Sequence, residues 1–193
     1  EIEPISENRV RIMEDLESTE LGTRKLTFFD TPGHARHHHS ILDSQTNTML
    51  SGDAFGLCYR QLQHGPRQFV NYVCAPPTFE PEKARVSIRR IVDAKPDHIG
   101  VTHYGWVKDI EQGAEQLIRS VDKFEAVSQR ASETDLVDDA LLEYCTQGCL
   151  EVIQDELRIS GLDPDDETIL SWATNEHAVT SQGVAILAGR MRG

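Results

Sequence analysis

The chain has 193 residues, 38% apolar and 26% charged, with 13 Gly and 8 Pro, which excludes disordered and fibrous classes and leaves one globular domain, or one with an appendage. Its net charge of −13, from 19 basic and 32 acidic residues, repels polyanions and disfavours nucleic acid as a partner. No apolar run reaches the roughly 18 residues of a membrane span, and the opening residues lack the layout of a secretory signal, so the expected location is cytoplasmic with no membrane contact.

The opening "EIEPISENRVRIMEDLE" carries no strong core element and does not start with Met, so an upstream segment is expected. From Lys25, "KLTFFDTPG" reads as a strand stopped by Pro32 and Gly33. "SILDSQTNTMLSGDAF" reads as two strands, Ser40 to Asp43 and Thr48 to Ser51, around a polar turn. The apolar run "QFVNYVCAPP" ends at Pro76 and Pro77. A helix follows from Pro81 to about Ala94, with Ala84, Ile88 and Ile91 at helical spacing. Ile99 to Thr102 predicts a strand, and Ile110 to Val127 a helix with Ala114, Leu117, Ile118 and Val121 on one side. This alternation is the pattern of a layered α/β domain.

Beyond Ala131 the texture changes. Thirteen acids stand against Arg158, Arg190 and Arg192, net −10, leaving only −3 to the first 130 residues. The expected division is therefore residues 1–130 as the α/β part and residues 131–193 as an acidic, helical extension packed on it. Leu136 to Leu157 gives a long helical pattern with a break expected near Gly148. Further helices are predicted over Glu167 to Asn175, capped by Asp163 or Asp165, and over Ser181 to Ala188. Trp172 and Tyr144 are expected either in the core of this extension or at a substrate entrance. Cys58, Cys74, Cys145 and Cys149 read as buried, reduced thiols.

Four of the eight histidines fall inside "TPGHARHHH", which holds His34, His37, His38 and His39. A histidine that follows a glycine at a strand end projects its imidazole from a rigid edge, and imidazole is a common metal ligand. Asp53 in "SGDAFG" also follows a strand and a glycine, and a carboxylate there can bridge two cations. By itself that dipeptide equally fits a turn with a capping aspartate. "VTHYG" places His103 at the end of a third strand. Three such ligands at the carboxyl ends of strands in one sheet would converge on a common crevice.

In this order and at these intervals, "TPGHARHH", "SGDAFG" and "THYG" resemble the third, fourth and fifth metal motifs of the metallo-β-lactamase-fold hydrolases. The resemblance spans about Lys25 to Gly105, and "PPTFEPEKARVSIRRI" is similar to a helical insert of a bacterial branch of uncertain substrate. It implies an α/β fold: the second half of an αββα sandwich, followed by the helical extension. It also implies that His34 binds one metal, that Asp53 bridges two, and that His103 binds the second, with Asp53 and His103 serving catalysis. His38 would orient a ligand or anchor its strand, and Tyr104 would line the substrate pocket.

The resemblance further implies an enzyme, a metal-dependent hydrolase with two divalent ions, zinc by default, iron or manganese as alternatives. Its substrate would be a small molecule carrying an ester, thioester, lactone, amide or phosphodiester. The family's first metal motif, His-x-His-x-Asp-His, is absent from these residues, and His64, His98 and His177 lack its spacing. An upstream segment or a second chain is therefore expected to complete the domain, since an open half-sandwich exposes a large apolar face; a homodimer is a further candidate. Two alternatives remain in other classes: a di-iron redox protein working with a flavin partner, for which no Gly-rich phosphate loop is present, and a non-catalytic interaction subunit.

Overall fold

Alternating side chains and tight polar turns organise the first half of the chain into strands. The computed structural model describes residues 3–103 and 105–193. Strands β1 (Ser18–Leu21), β2 (Arg24–Asp30), β3 (His39–Asp43), β4 (Thr48–Gly52), β5 (His98–Val101) and β6 (Gly105–Val107) lie side by side in chain order in one sheet. β1 to β4 form an antiparallel meander. β4 and β5 are parallel, joined by a crossover that holds helix α1 (Pro81–Asp93), and β6 turns back antiparallel on β5. The helices α2 (Ile110–Ser132), α3 (Asp138–Ile159), α4 (Glu167–Ala173) and α5 (His177–Met191) follow. This mixed α/β architecture agrees with the fold class expected from the sequence.

The period-two pattern sends the two faces of the sheet to different environments. Met49, Ile99 and Val107 point into the core with Phe55, Ile88, Ile91, Leu117 and Phe124. The opposite face carries a row in register across five strands: Phe28, Ile41, Leu50, Gly100 and Trp106. Leu50 is 47% exposed and Trp106 62% exposed, so no described residue covers this end of the row.

Local chemistry sets the helix starts. Pro81 opens α1 where a missing N–H costs nothing. Asp109 caps α2 by accepting from the Gln112 N–H at 3.0 Å, and Asp166 caps α4 by accepting from Thr168 and Ile169. The cap of α4 is thus Asp166, because its carboxylate reaches the orphan N–H groups that Asp163 and Asp165 do not. α2 runs through residue 130, and α3 and α5 pack along it. Arg192 ties the end of α5 to the end of α2 by donating to the carbonyls of Ala131, Ser132 and Leu136.

Three local expectations change. β1 and β6 are added, because "STEL" and "GWV" are too short and too polar or solitary to stand out before their neighbours pair with them. α3 passes through Gly148 without a break. There a Cβ would lie 2.8 Å from Val127 Cγ1, so the glycine serves the close approach of α3 to α2. α5 begins at His177, ahead of the expected Ser181, and its His177 Nε2 bonds to the Thr146 carbonyl at 2.8 Å. Trp172 tilts against Tyr59 at 5.7 Å between ring centres, and Asn175 donates to the Tyr59 hydroxyl at 2.8 Å. All four cysteines are free and buried.

Candidate metal centre

The loop after β2, the loop after β4 and the residues after β5 leave the sheet at one edge, and they bring His34, Asp53 and His103 together. The glycines ahead of His34 and Asp53 explain how the first two arrive. Gly33 has φ +131°, and a Cβ there would lie 2.5 Å from the Ala84 Cα, so only glycine lets this turn press against α1. Gly52 has φ +54°, and a Cβ there would lie 2.5 Å from His38 Nε2. The glycines of "PGH" and "GD" are therefore backbone devices that turn the chain at the residues they precede.

Asp53 stands between the two imidazoles. His34 Nε2 is 3.8 Å from Asp53 Oδ2, and His103 Nε2 is 3.1 Å from Asp53 Oδ1. The 3.1 Å approach lacks hydrogen-bond alignment, and Asp53 Oδ1 is a buried oxygen with no hydrogen-bond partner. His34 Nδ1 lies 3.1 Å from the Val73 carbonyl, which can only accept, so Nδ1 carries the proton. In the neutral ring Nε2 then turns a bare lone pair toward the carboxylate. A bare His34 nitrogen and the His103 ring on either side of a carboxylate with one unpartnered oxygen form a polar hollow that suits a cation.

His38 does not face this hollow; it holds it. The Asp53 N–H donates to His38 Nε2 at 3.0 Å, which obliges Nδ1 to carry the proton and donate to Thr31 Oγ1 at 3.0 Å. Thr31 is 2.9 Å from Ser40 Oγ, and Ser40 donates to the Ser51 carbonyl at 3.2 Å. Each member is thus satisfied in one direction, from the Asp53 amide back to the strand that carries it. Burial, reinforced by the neighbouring His34, pushes the His38 ring down to about 4, so it stays neutral and able to accept. His38→Ala should lower folding stability by about 1–3 kcal/mol, the cost of leaving buried partners unpaired. Urea denaturation checks this, and an unchanged midpoint would contradict it.

The other residues singled out from the sequence fall elsewhere. His39 stacks on Phe28 at 5.5 Å, and with the exposed His37 it lines a hollow beside Arg11 and Ile12, away from the three ligands. Tyr104 lies outside the described residues. Among the described residues, no group of three or more His, Cys, Asp or Glu is gathered tightly enough to hold an ion by itself. The sequence reading missed Thr31, Ser40 and the Val73 carbonyl. Thr31 opens the motif it serves, but a backbone carbonyl 39 positions away from His34 leaves no local signal.

No family model matches the chain. It is 28% identical over 116 residues to the metallo-β-lactamase fold-containing protein ST1585 of Sulfurisphaera tokodaii, a match covering 59% of this chain and 41% of that protein. Among solved structures it is similar to the archaeal metallo-β-lactamase superfamily protein ST1585 from Sulfolobus tokodaii. There the TM-score is 0.50 and the identity 24%, over 82% of this chain and 56% of that one. It is also similar to the metallo-β-lactamase family protein TTHA1429 from Thermus thermophilus, with TM-score 0.53 and 16% identity over 94% of this chain and 49% of that one. The chain spans about half the length of the relatives it matches.

Proposed function

Because this chain carries the metallo-β-lactamase fold, we propose that it is part of a metal-dependent hydrolase and supplies His34, Asp53 and His103 to a binuclear centre. The observation that carries this reading is the Asp53 carboxylate between two imidazoles, with its Oδ1 left without a hydrogen-bond partner. Zinc suits the mixed nitrogen and oxygen donors, as do iron and manganese. Bound there, divalent ions supply the acidification of a water and the polarisation of the scissile carbonyl or phosphoryl oxygen.

The chain's own residues prepare that chemistry. Asp53 offers the negative charge that brings two cations close, and the Val73 carbonyl keeps the His34 proton on Nδ1, away from the cation. The His38 relay holds the Asp53 backbone so that its carboxylate needs no rearrangement. Tyr72 is 1% exposed, and burial, reinforced by Cys74 and Asp53, raises its hydroxyl well above the ordinary phenol range. The remaining ligands come from a segment or second chain outside these residues, which also covers the apolar row from Phe28 to Trp106.

Elemental analysis of the complete protein tests the reading. Two zinc or manganese ions per protein are expected, with turnover of an ester, thioester or phosphodiester substrate. Asp53→Asn is expected to lose the second ion first, since it removes the charge both ions share. Two irons with an obligatory flavin partner, or no metal at all, would overturn the proposal. An unchanged metal count in Asp53→Asn would overturn the bridging role.

A further inference from the structure

The last helix carries an outer face that nothing among the described residues covers. On its inner side α5 packs against α2 and α3, where Ser181, Val184, Leu187 and Ala188 are buried. α2 in turn covers the core face of the sheet through Leu117 and Phe124, so α5 lies away from the uncovered row of Phe28 to Trp106. From His177 to Gly189 there is no Asp, Glu, Lys or Arg, whereas α1, α2 and α3 each carry six or more. Outward, Val179 is 38% exposed and Ile186 39%, with Ala178, Gln182 and Gly189 exposed on the same stripe. A helix that is apolar all round is ordinarily buried all round.

Shape and charge both match this face to a second copy of itself. Val179 and Gly189 stand five positions either side of Val184, and Gln182 and Ile186 two positions either side. An antiparallel pair about a two-fold axis over Val184 therefore seats Val179 of one copy on Gly189 of the other, where a Cβ would meet nothing within 4 Å. Glu176 at the start of α5 and Arg190 at its end form no ion pair among the described residues. Arg190 donates to the Phe79 carbonyl at 2.8 Å, which leaves its positive charge without a carboxylate. The two residues are about 21 Å apart along the axis, at 1.5 Å per residue, so they do not meet within one chain. Antiparallel pairing sets each Arg190 beside the other copy's Glu176, and opposed helix dipoles favour the same direction.

We propose that α5 is a homodimer interface: two copies of this chain pair antiparallel through the stripe of Ala178, Val179, Gln182, Ile186 and Gly189. The proposal uses α5 alone and does not rest on the hydrolase reading. A net charge of −13 on each copy opposes association, which favours the carboxylate-free span from Val179 to Gly189 as the place where two copies touch. One helix pair buries less than the roughly 1,200 Å² of a standard interface, so the dimer is expected to dissociate on dilution.

Sedimentation velocity of the complete protein from about 2 to about 200 µM tests this, and a reversible monomer–dimer equilibrium is expected in that range. Gly189→Arg should raise the dimer dissociation constant about tenfold or more, although arginine favours the helix more than glycine does, because its side chain occupies the gap that the other copy's Val179 needs. Val179→Glu/Ile186→Glu should do the same by placing carboxylates in a neutral seam, and circular dichroism checks that each variant is folded. Glu176→Arg and Arg190→Glu should each weaken the dimer by about fivefold, and their combination should return it to within about twofold of wild type, since the exchange rebuilds both cross-pairs. A dimer indifferent to Gly189→Arg would overturn the interface, and a combined charge variant no better than its parents would overturn the antiparallel register. A protein that stays monomeric at the highest concentration would also overturn the proposal, and a lowered Tm in Val179→Glu/Ile186→Glu would then show that another part of the complete protein covers α5. These outcomes hold whatever the metal analysis gives.

Discussion

His34→Ala in the complete protein is expected to abolish hydrolysis and to release metal, with His103→Ala doing the same and His39→Ala doing far less. Removing His34 takes away the only imidazole whose proton is pinned on Nδ1 by the Val73 carbonyl and whose Nε2 faces Asp53 Oδ2 at 3.8 Å. Removing His103 takes away the group 3.1 Å from the orphaned Oδ1. Changes to residues that merely orient ligands cost roughly 10–100-fold in metal affinity or activity, so loss of a ligand itself should exceed that range. His39 is the internal control: it belongs to the same histidine run but stacks on Phe28, outside the hollow. Metal competition with a chelator and initial rates measure both effects. Retained metal and turnover in both ligand variants would refute the assignment.

Arg119→Ala should be costly for a change at a partly exposed helix position. Glu156 is 0% exposed and receives Arg119 Nε at 3.0 Å, Arg119 Nη2 at 2.6 Å and Lys123 Nζ at 2.9 Å. This network fastens α3 to α2, and without Arg119 a buried carboxylate keeps one partner for two oxygens. Breaking a buried pair on one side typically costs about 3–5 kcal/mol, and the partial exposure of Arg119 argues for the lower end, about 3 kcal/mol. For a chain of this size that corresponds to a Tm lower by about 6–12 °C. Arg119→Met/Glu156→Met should recover most of the loss, because removing both charges leaves nothing stranded and Lys123 still has Asp155 at 3.8 Å. Thermal unfolding measures both. A change within about 0.5 kcal/mol in Arg119→Ala, the range of an ordinary surface substitution, would show that water or Lys123 compensates fully.

These two predictions draw on different kinds of legibility. The convergence of His34, Asp53 and His103 could be read as a line of text because each follows a strand and a glycine or the strand's own last residues, and a strand end is a local event. The Glu156 network could not, since Arg119, Lys123 and Glu156 look like ordinary exposed charges on amphipathic helices until α2 and α3 are laid together. Gly148 failed as a sequence signal for the same reason. A glycine inside a helical pattern weakens the helix intrinsically, yet here the contact with Val127 is what it serves.

By itself the sequence determined the strand and helix succession from β2 to α2 apart from β6, the helical character of the residues beyond 131, and the candidates His34, Asp53 and His103 with the glycines that let the first two turn. Period, turn chemistry and motif spacing are properties of neighbouring residues, and they survive without a fold. The tertiary structure alone decided which nitrogen of His34 is bare, that His38 braces Asp53 from behind, and that β1 and β6 pair at all. Each of these depends on groups tens of positions apart meeting at a few ångströms, and that is fixed by packing.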